Sequence, residues 1–109
     1  MADWLRGKVA VVTGASVGLG RAIAVACGQE GASVVVNYSR SQGDADETAE
    51  LVKAVGGEAV TVQADVSRDS EVRAMIARTL DHFGRIDLLV NHAGFTRHVP
   101  FADLEALTE

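Results

Sequence analysis

The stretch Lys8–Arg21, which reads KVAVVTGASVGLGR, contains the features that decide the fold. Its first part, Lys8–Thr13, is a valine-rich run that is too short for a helix and therefore predicts a buried strand. A glycine-rich turn follows, and Gly18–Glu30 then has helical periodicity, with one apolar face made by Leu19, Ile23, Ala26 and Cys27. Gly31 stands where helices commonly end. The stretch thus predicts a strand, a tight turn and a helix in direct succession.

The same alternation continues along the chain. Further strands are predicted at Ser33–Asn37, Ala59–Ala64 and Ile86–Val90. A helix is predicted at Asp44–Val55. Another helix is predicted between Ser67, which can cap its N-terminus, and Gly84, which ends it. The buried stripe expected for that third helix is Val72, Met75, Ile76, Leu80 and Phe83. A loop over Asn91–Pro100 and the start of a helix at Phe101–Glu109 follow the fourth strand.

Strands that alternate with helices and carry continuous apolar runs are typical of a parallel sheet covered on both faces. Right-handed crossovers then give an α/β fold with a doubly wound parallel sheet, for which the expected strand order is 3-2-1-4. In such sheets ligands bind beyond the carboxyl ends of the strands, at the switch point between strands 1 and 4. The loops that begin at Thr13 and Asn91 should converge there.

Composition excludes several classes of protein. A chain of 109 residues is one domain at most, or a piece of one, and its 48% hydrophobic content argues against disorder. A net charge of -5 disfavours nucleic acid as a partner, and no apolar stretch is long enough to span a membrane. The single cysteine, Cys27, excludes an internal disulfide and favours the cytoplasm. No metal site is expected, because His92 and His98 lack a third ligand of suitable spacing.

The glycine-rich turn has the composition of a phosphate cradle. Gly14 allows a tight turn, Gly18 lets the backbone approach a pyrophosphate, and Gly20 lets the helix pack closely on the strand. The helix N-terminus adds free N–H groups and the positive end of the dipole. A P-loop is excluded because no Gly-Lys-Ser/Thr follows. The alternative is a βα turn that merely needs flexible residues.

Three motifs together resemble the short-chain dehydrogenase/reductase family. The turn matches its Thr-Gly-x-x-x-Gly-x-Gly spacing, and Ala64-Asp65-Val66 is similar to its Asp-Val after strand 3. Leu89–Gly94, LVNHAG, is similar to its Asn-Asn-Ala-Gly motif, with His92 in place of the second Asn. The resemblance covers essentially the whole chain and implies a Rossmann-like fold truncated after strand 4. It also implies that residues 1–109 are the N-terminal part of a single domain.

The family's activity would be hydride transfer between a nicotinamide cofactor and a small carbonyl or alcohol compound, in a homo-oligomer. By resemblance, Asp65 contacts adenine, although an Asx turn that leads into the helix at Ser67 is an equal alternative. Asn91 helps to hold the central strand and lines the cofactor pocket, or simply ends the strand. The full set of expected cofactor-binding residues is Gly14, Ser16, Val17, Gly18, Leu19, Gly20, Tyr38, Ser39, Arg40, Asp65, Val66, Asn91, Ala93 and Gly94.

The end of strand 2 indicates which nicotinamide cofactor is preferred. An acid there binds the ribose 2′-OH of NAD, whereas an Arg accommodates the 2′-phosphate of NADP. This sequence has Ser39 and Arg40, and no acid before Asp44. We expect a preference for NADP(H), with Ser16 reaching the same phosphate and NAD(H) left open. The alternative is that Arg40 is a solvated loop residue.

The family's catalytic residues do not match this sequence. The resemblance implies an Asn on the helix after strand 4, a Ser after strand 5 and a Tyr-x-x-x-Lys pair, all expected beyond Glu109. The only tyrosine, Tyr38, is followed four residues later by Gln42. We therefore expect the chain alone to be inactive, as the cofactor-binding half of an enzyme or a non-catalytic nucleotide-binding remnant. A flavodoxin-like or receiver-type signalling module is a third reading, against which the glycine turn argues.

Overall fold

The structure is a computed structural model, and it describes residues 4–92. The strands are β1 (Val9–Val12), β2 (Ser33–Tyr38), β3 (Glu58–Gln63) and β4 (Leu88–Val90). The helices that connect them are α1 (Gly18–Gln29), α2 (Gln42–Ala54) and α3 (Asp69–Phe83). The predicted loop and helix over 93–109 lie outside the described residues.

The four strands form one parallel sheet in the order β3-β2-β1-β4. The predicted fold class and the predicted strand order are both confirmed. The order also excludes a flavodoxin-like arrangement, in which β3 rather than β4 would lie beside β1. The topological switch point therefore lies between β1 and β4, where the strand order reverses.

Two apolar layers cover the sheet. On one face Ala10 and Val12 of β1 pack with α1 and α2, through residues such as Ala24 and Val52. On the other face Val11 packs with Met75 of α3. This division follows from the period of two along a strand, which sends successive side chains to opposite faces. All four residues of β1 are buried, as expected for the central strand of a covered parallel sheet.

The predicted face of α1 is partly wrong. Cys27 is buried, but Leu19 is 62% exposed and Ala26 is also exposed. The buried face instead consists of Gly20, Ala24, Cys27 and Gly28. Small residues face inward because the helix lies very close to its neighbours: a Cβ added to Gly28 would stand 2.8 Å from Cγ1 of Val52 on α2.

Two predictions about α3 are also wrong. Leu80 is 39% exposed, and Thr79 occupies the buried face beside Met75 and Ile76. Thr79 is tolerated there because its hydroxyl donates to the carbonyl of Met75 at 2.9 Å. Ser67 does not cap the helix, since its hydroxyl donates to Oδ1 of Asp65 at 2.6 Å and the N-cap position is Arg68.

Candidate functional site

The loop between β1 and α1 has the geometry that its glycines predict. Gly14 and Gly18 have positive φ angles of 60° and 62°, a region that side chains disfavour. A Cβ built on Gly18 would meet nothing within 4 Å, so the backbone is open to a ligand at that point. A Cβ on Gly20 would collide with the carbonyl oxygen of Gly14 and lie 2.9 Å from its carbonyl carbon. The close approach at Gly20 is thus to the loop rather than to the strand itself.

Asn37, at the end of β2, braces the start of this loop. Its Oδ1 accepts from the N–H of Gly14 at 3.2 Å, and its carbonyl accepts from the N–H of Ala15 at 3.0 Å. Its Nδ2 donates to the carbonyls of Val62 and Ala64, at 3.3 and 3.2 Å. Asn37 is only 2% exposed, and its amide is satisfied on both sides. One side chain therefore joins the loop to β2 and β3.

Arg21 and Thr48 hold the middle of the loop from the outside. The carbonyl of Ser16 accepts from Nη2 of Arg21 at 2.9 Å and from Oγ1 of Thr48 at 3.0 Å. Nε of Arg21 also donates to Oγ1 of Thr48, and its Nη2 pairs with Glu47 at 2.9 Å. These contacts fix the orientation of the peptide that follows Ser16 against α2.

The N-terminus of α1 opens into this region without a cap. Its N-cap residue, Val17, makes no side-chain hydrogen bond, and the first turn has no acidic residue. The first N–H groups of a helix have no partner within the helix, and the helix dipole is positive there. An uncapped N-terminus beside an open glycine backbone suits an anionic group such as a phosphate.

The segment after β4 is tied to the same loop through Thr13. The N–H of Thr13 donates to the carbonyl of Val90 at 2.9 Å, and its hydroxyl lies 3.0 Å from Oδ1 of Asn91. The N–H of His92 donates to the Thr13 hydroxyl at 2.7 Å. Asn91 therefore contacts the residue that follows the central strand β1.

A cleft of about 780 Å³ lies at the carboxyl ends of the strands, within the usual size range of ligand pockets. Many of the predicted residues line it: Gly14, Ser16, Val17, Gly18, Leu19, Tyr38, Ser39, Arg40, Asp65 and Val66. Gly20 and Asn91 do not line the cleft: Gly20 packs against Gly14, which does, and Asn91 contacts Thr13. Ala93 and Gly94 lie outside the described residues. The lining also includes residues that the sequence did not single out for this role, namely Asn37, Ser41, Ala64, Ser67 and His92.

Ser39 and Arg40 form the exposed end of the cleft after β2. Arg40 makes no ion pair within residues 4–92, so its guanidinium is available to a ligand. The carbonyl of Ser39 accepts from Nε2 of Gln63 at 3.1 Å, which fixes the backbone of the turn on β3. An exposed guanidinium on a fixed turn can pair bidentately with a phosphate.

Asp65 is the acidic residue of the cleft wall. Its Oδ1 accepts from the N–H of Ser67 at 3.0 Å as well as from the hydroxyl, which is the Asx turn considered above. Those two hydrogen bonds, with smaller contributions from the charges of Arg68 and Arg40, hold the pKa of Asp65 below its ordinary value. Asp65 thus makes the turn and also lines the cleft, as an ionised hydrogen-bond acceptor.

Neither a cluster of metal ligands nor a membrane-crossing helix is found within residues 4–92. No three His, Cys, Asp or Glu side chains come together there in a way that could hold a metal ion. Within the same residues, no helix has both the length and the apolar character that a membrane crossing requires.

Comparison with known proteins identifies the family of this chain. The family model described as short chain dehydrogenase matches residues 8–108. Short-chain dehydrogenase/reductase homolog YusS of Bacillus subtilis (strain 168) is 49% identical over 102 residues, which cover 94% of each chain. A 3-oxoacyl-[acyl-carrier-protein] reductase of Synechocystis is 52% identical over 93 residues, which are 85% of this chain and 38% of that protein.

Solved structures agree with the sequence matches. A short chain dehydrogenase from Burkholderia cenocepacia J2315 in complex with NADP superposes with a TM-score of 0.80 at 38% identity. The match covers 92% of this chain and 41% of that one. The chain therefore spans nearly all of YusS but only about two fifths of the other relatives described.

Proposed function

Because the chain belongs to the short-chain dehydrogenase family, we propose that it binds NADP(H) in the cleft at the carboxyl edge of its sheet. In this proposal, residues 1–109 are the N-terminal, dinucleotide-binding part of a single oxidoreductase domain. The reaction of the whole domain is hydride transfer, which reduces a ketone or 3-oxoacyl group or oxidises an alcohol. The nicotinamide, when bound, supplies or accepts that hydride.

Each part of the cleft suits one part of the dinucleotide. The open backbone at Gly18 and the uncapped N-terminus of α1 would hold the pyrophosphate. Asp65 and Val66 would contact adenine, and Asn91 fixes the end of β1 against the loop through Thr13. Ala93 and Gly94 are included among the cofactor-binding residues on the basis of the family resemblance alone. The relatives named above support an oxidoreductase, because one is a 3-oxoacyl reductase and another holds NADP.

The choice of NADP(H) over NAD(H) depends on one observation. Ser39 and Arg40 line the cleft where a NAD-selective site would have a carboxylate, and Arg40 has no ion-pair partner in residues 4–92. A phosphate placed there would gain charge-assisted hydrogen bonds without displacing an internal partner. NAD(H), which lacks the 2′-phosphate, would gain nothing from the guanidinium.

Titration of the chain with NADPH and NADH tests this choice. Arg40→Ala should weaken NADPH binding by about 10- to 100-fold, as expected for a hydrogen bond to a charged group, and leave NADH nearly unchanged. Arg73→Ala is the matched control, since Arg73 is also exposed but lies on α3 away from the cleft. Equal losses of NADPH and NADH affinity on replacing Arg40 would contradict the NADP(H) preference.

Turnover distinguishes the enzyme from the alternative of a non-catalytic nucleotide-binding protein. We expect the 109-residue chain to bind NADPH but to show no oxidation of NADPH with ketone or 3-oxoacyl substrates, since Tyr38 lacks a lysine four residues later. Turnover by the chain alone would contradict the assignment of the catalytic Asn, Ser, Tyr and Lys beyond Glu109.

Two further expectations belong to this proposal. We infer a homo-oligomer with no nucleic-acid or membrane partner. We also place the protein in the cytoplasm, because its single cysteine, Cys27, excludes an internal disulfide framework, as is usual in a reducing compartment. Burial raises the pKa of the Cys27 thiol, as suits a structural cysteine. Fractionation of cells that express the full gene would test the location.

A further inference from the structure

The end of the cleft proposed for the 2′-phosphate has two walls, which come from different elements. Ser16 and Val17, in the loop between β1 and α1, line one wall. Ser39, Arg40 and Ser41 line the other wall, and α2 begins at the next residue. A phosphate between these walls would be held from both sides only if the loop keeps a fixed position relative to α2.

Arg21 joins the loop to the first turn of α2. Its Nη2 donates to the carbonyl of Ser16 at 2.9 Å and to that of Asp44, in the first turn of α2, at 3.1 Å. Arg21 itself lies in the first turn of α1, where the helix dipole disfavours a positive charge. Glu47 of α2 compensates this charge at 2.9 Å, and the Arg21 side chain does not line the cleft. The guanidinium is therefore a bridge between two elements and not a ligand for the phosphate.

Thr48 of α2 completes this bridge from the buried side. Its side chain is fully buried, and its hydroxyl accepts from Nε of Arg21 at 2.8 Å. The same hydroxyl lies 3.0 Å from the carbonyl oxygen of Ser16 and 3.2 Å from that of Asp44, so its single hydrogen is directed to these two acceptors. Removal of the hydroxyl would take this partner from Arg21 and free the buried side of the loop from α2.

We propose that Arg21 and Thr48 are positioning residues that hold the two walls at the spacing of a 2′-phosphate and so set the preference for NADP(H) over NAD(H). This inference rests on the proposed function, because it requires a nucleotide whose 2′-phosphate reaches Arg40. Neither positioning residue touches the nucleotide. They lower the cost of binding, because walls that are already fixed need not be ordered when the phosphate enters. NAD(H) has no phosphate between the walls, so its binding does not depend on their spacing.

Removal of the Thr48 hydroxyl tests the positioning role. Thr48→Val removes it at nearly constant volume and should weaken NADPH binding by about 3- to 10-fold, the usual effect of a neutral hydrogen bond, with NADH binding nearly unchanged. Adenosine 2′-monophosphate should lose affinity by a similar factor, whereas adenosine 5′-monophosphate should not. Thr48→Ser keeps the hydroxyl and should bind NADPH like the wild type. Thr79→Val is the matched control, because Thr79 is also buried, on α3, and its hydroxyl also bonds to the carbonyl four residues earlier.

A variant that keeps the charge separates positioning from long-range attraction. Arg21→Lys retains the positive charge, but a single ammonium lacks the planar fork that reaches Thr48 and Ser16 together. We expect it to lower NADPH affinity relative to NADH affinity, as Thr48→Val does. If Arg21→Lys keeps the wild-type preference and Arg21→Gln loses it, the charge acts on the phosphate at a distance and the positioning role is wrong. Arg21→Lys also carries the test if Thr48→Val does not fold.

NMR titration of the wild-type chain gives an independent measurement. Adenosine 2′-monophosphate should shift the amide resonances of both walls, those of Val17 and of Ser41. Shifts on the Ser41 side alone would overturn the inference, since the phosphate would then meet one wall only. Equal losses of NADPH and NADH in Thr48→Val, or no loss of either, would also overturn it, because the bridge would then serve the fold alone. If the wild-type chain does not prefer NADPH to NADH, or if Arg40→Ala loses both equally, the proposed function itself fails.

Discussion

Position 20 leaves no room for a side chain. A Cβ there would collide with the carbonyl oxygen of Gly14 and stand 3.1 Å from Cα of Ala15, and both atoms belong to the backbone of the loop between β1 and α1. Backbone cannot rotate away as the end of a flexible side chain can. The loop would have to move, and with it the open peptide at Gly18.

Gly20→Ala should therefore reduce both stability and NADPH affinity. We expect a loss of about 1–3 kcal/mol in the free energy of unfolding, the usual cost of overpacking, measured by urea denaturation. Gly43→Ala is the matched control: a Cβ on Gly43 meets nothing within 4 Å, and alanine favours a helix by about 1 kcal/mol over glycine. A Gly20→Ala chain as stable as the Gly43→Ala chain would show that the loop has another way to accommodate the methyl group.

The sequence alone predicts the role of a site residue only when the groups it contacts lie close to it along the chain. Gly14, Gly18 and Gly20 act within one turn, so their spacing predicts the loop geometry. The role of Asn37 depends on bonds to Gly14 and to Val62, which are 23 and 25 residues away, and the Arg21–Thr48 bond spans 27 residues. Nothing in the local pattern around these residues indicates such partners, because the partners meet only once the sheet has formed.

At the scale of the elements, the strands are more predictable than the faces of the helices. A valine-rich run such as β2 has few alternatives to a buried strand. Right-handed crossovers between such strands predict the doubly wound fold, for which the order 3-2-1-4 is expected. The inward face of α1 could not be found by hydrophobicity, because closeness of approach selects Gly20, Ala24 and Gly28 over larger apolar residues. Sequence reasoning that scores only apolar character therefore assigns Leu19 to the wrong side.

The amino end of the β1–β4 pair depends on Asp87. Its Oδ2 accepts from the N–H of Val9 at 2.9 Å, and its own N–H donates to the Val9 carbonyl at 2.9 Å. Arg85 contacts both carboxylate oxygens, at 2.7 and 2.8 Å. The Arg85 side chain and then the Val9 N–H hold the pKa of Asp87 below its ordinary value.

Asp87→Ala should lower the free energy of unfolding by about 1–3 kcal/mol near neutral pH, because the Val9 N–H loses its carboxylate partner. A depressed pKa in the folded state stabilises the fold above the unfolded pKa of about 3.9, and this stabilisation is lost as the pH falls through the folded pKa. The difference between wild type and variant should therefore shrink below about pH 4. Urea denaturation as a function of pH measures this, with Asp81→Ala as an exposed control. A difference that stays constant down to low pH would show that the carboxylate charge is not involved.

At the scale of the whole molecule, the two edges of the sheet differ. β3 is the outer strand on one side, where β2 pairs with it along all six of its residues. β4 is the outer strand on the other side and has only three residues, Leu88–Val90, all of them apolar and half-buried. Within residues 4–92 no strand pairs with the outer side of β4. The unpaired N–H and C=O groups of an apolar edge strand can pair with a strand of another chain.

We expect the chain to associate through β4. Sedimentation velocity from about 10 to 200 µM should show a concentration-dependent shift from monomer to dimer or larger species, since association follows mass action. Leu88→Lys places a charge at this edge while its aliphatic stem still covers apolar surface, so it should shift the equilibrium toward monomer. Thr61→Lys puts the same charge on the outer strand β3 and should leave the association unchanged. If the wild-type chain stays monomeric throughout, the β4 edge is protected by its own chain. If Thr61→Lys disrupts association instead, the opposite edge of the sheet forms the contact.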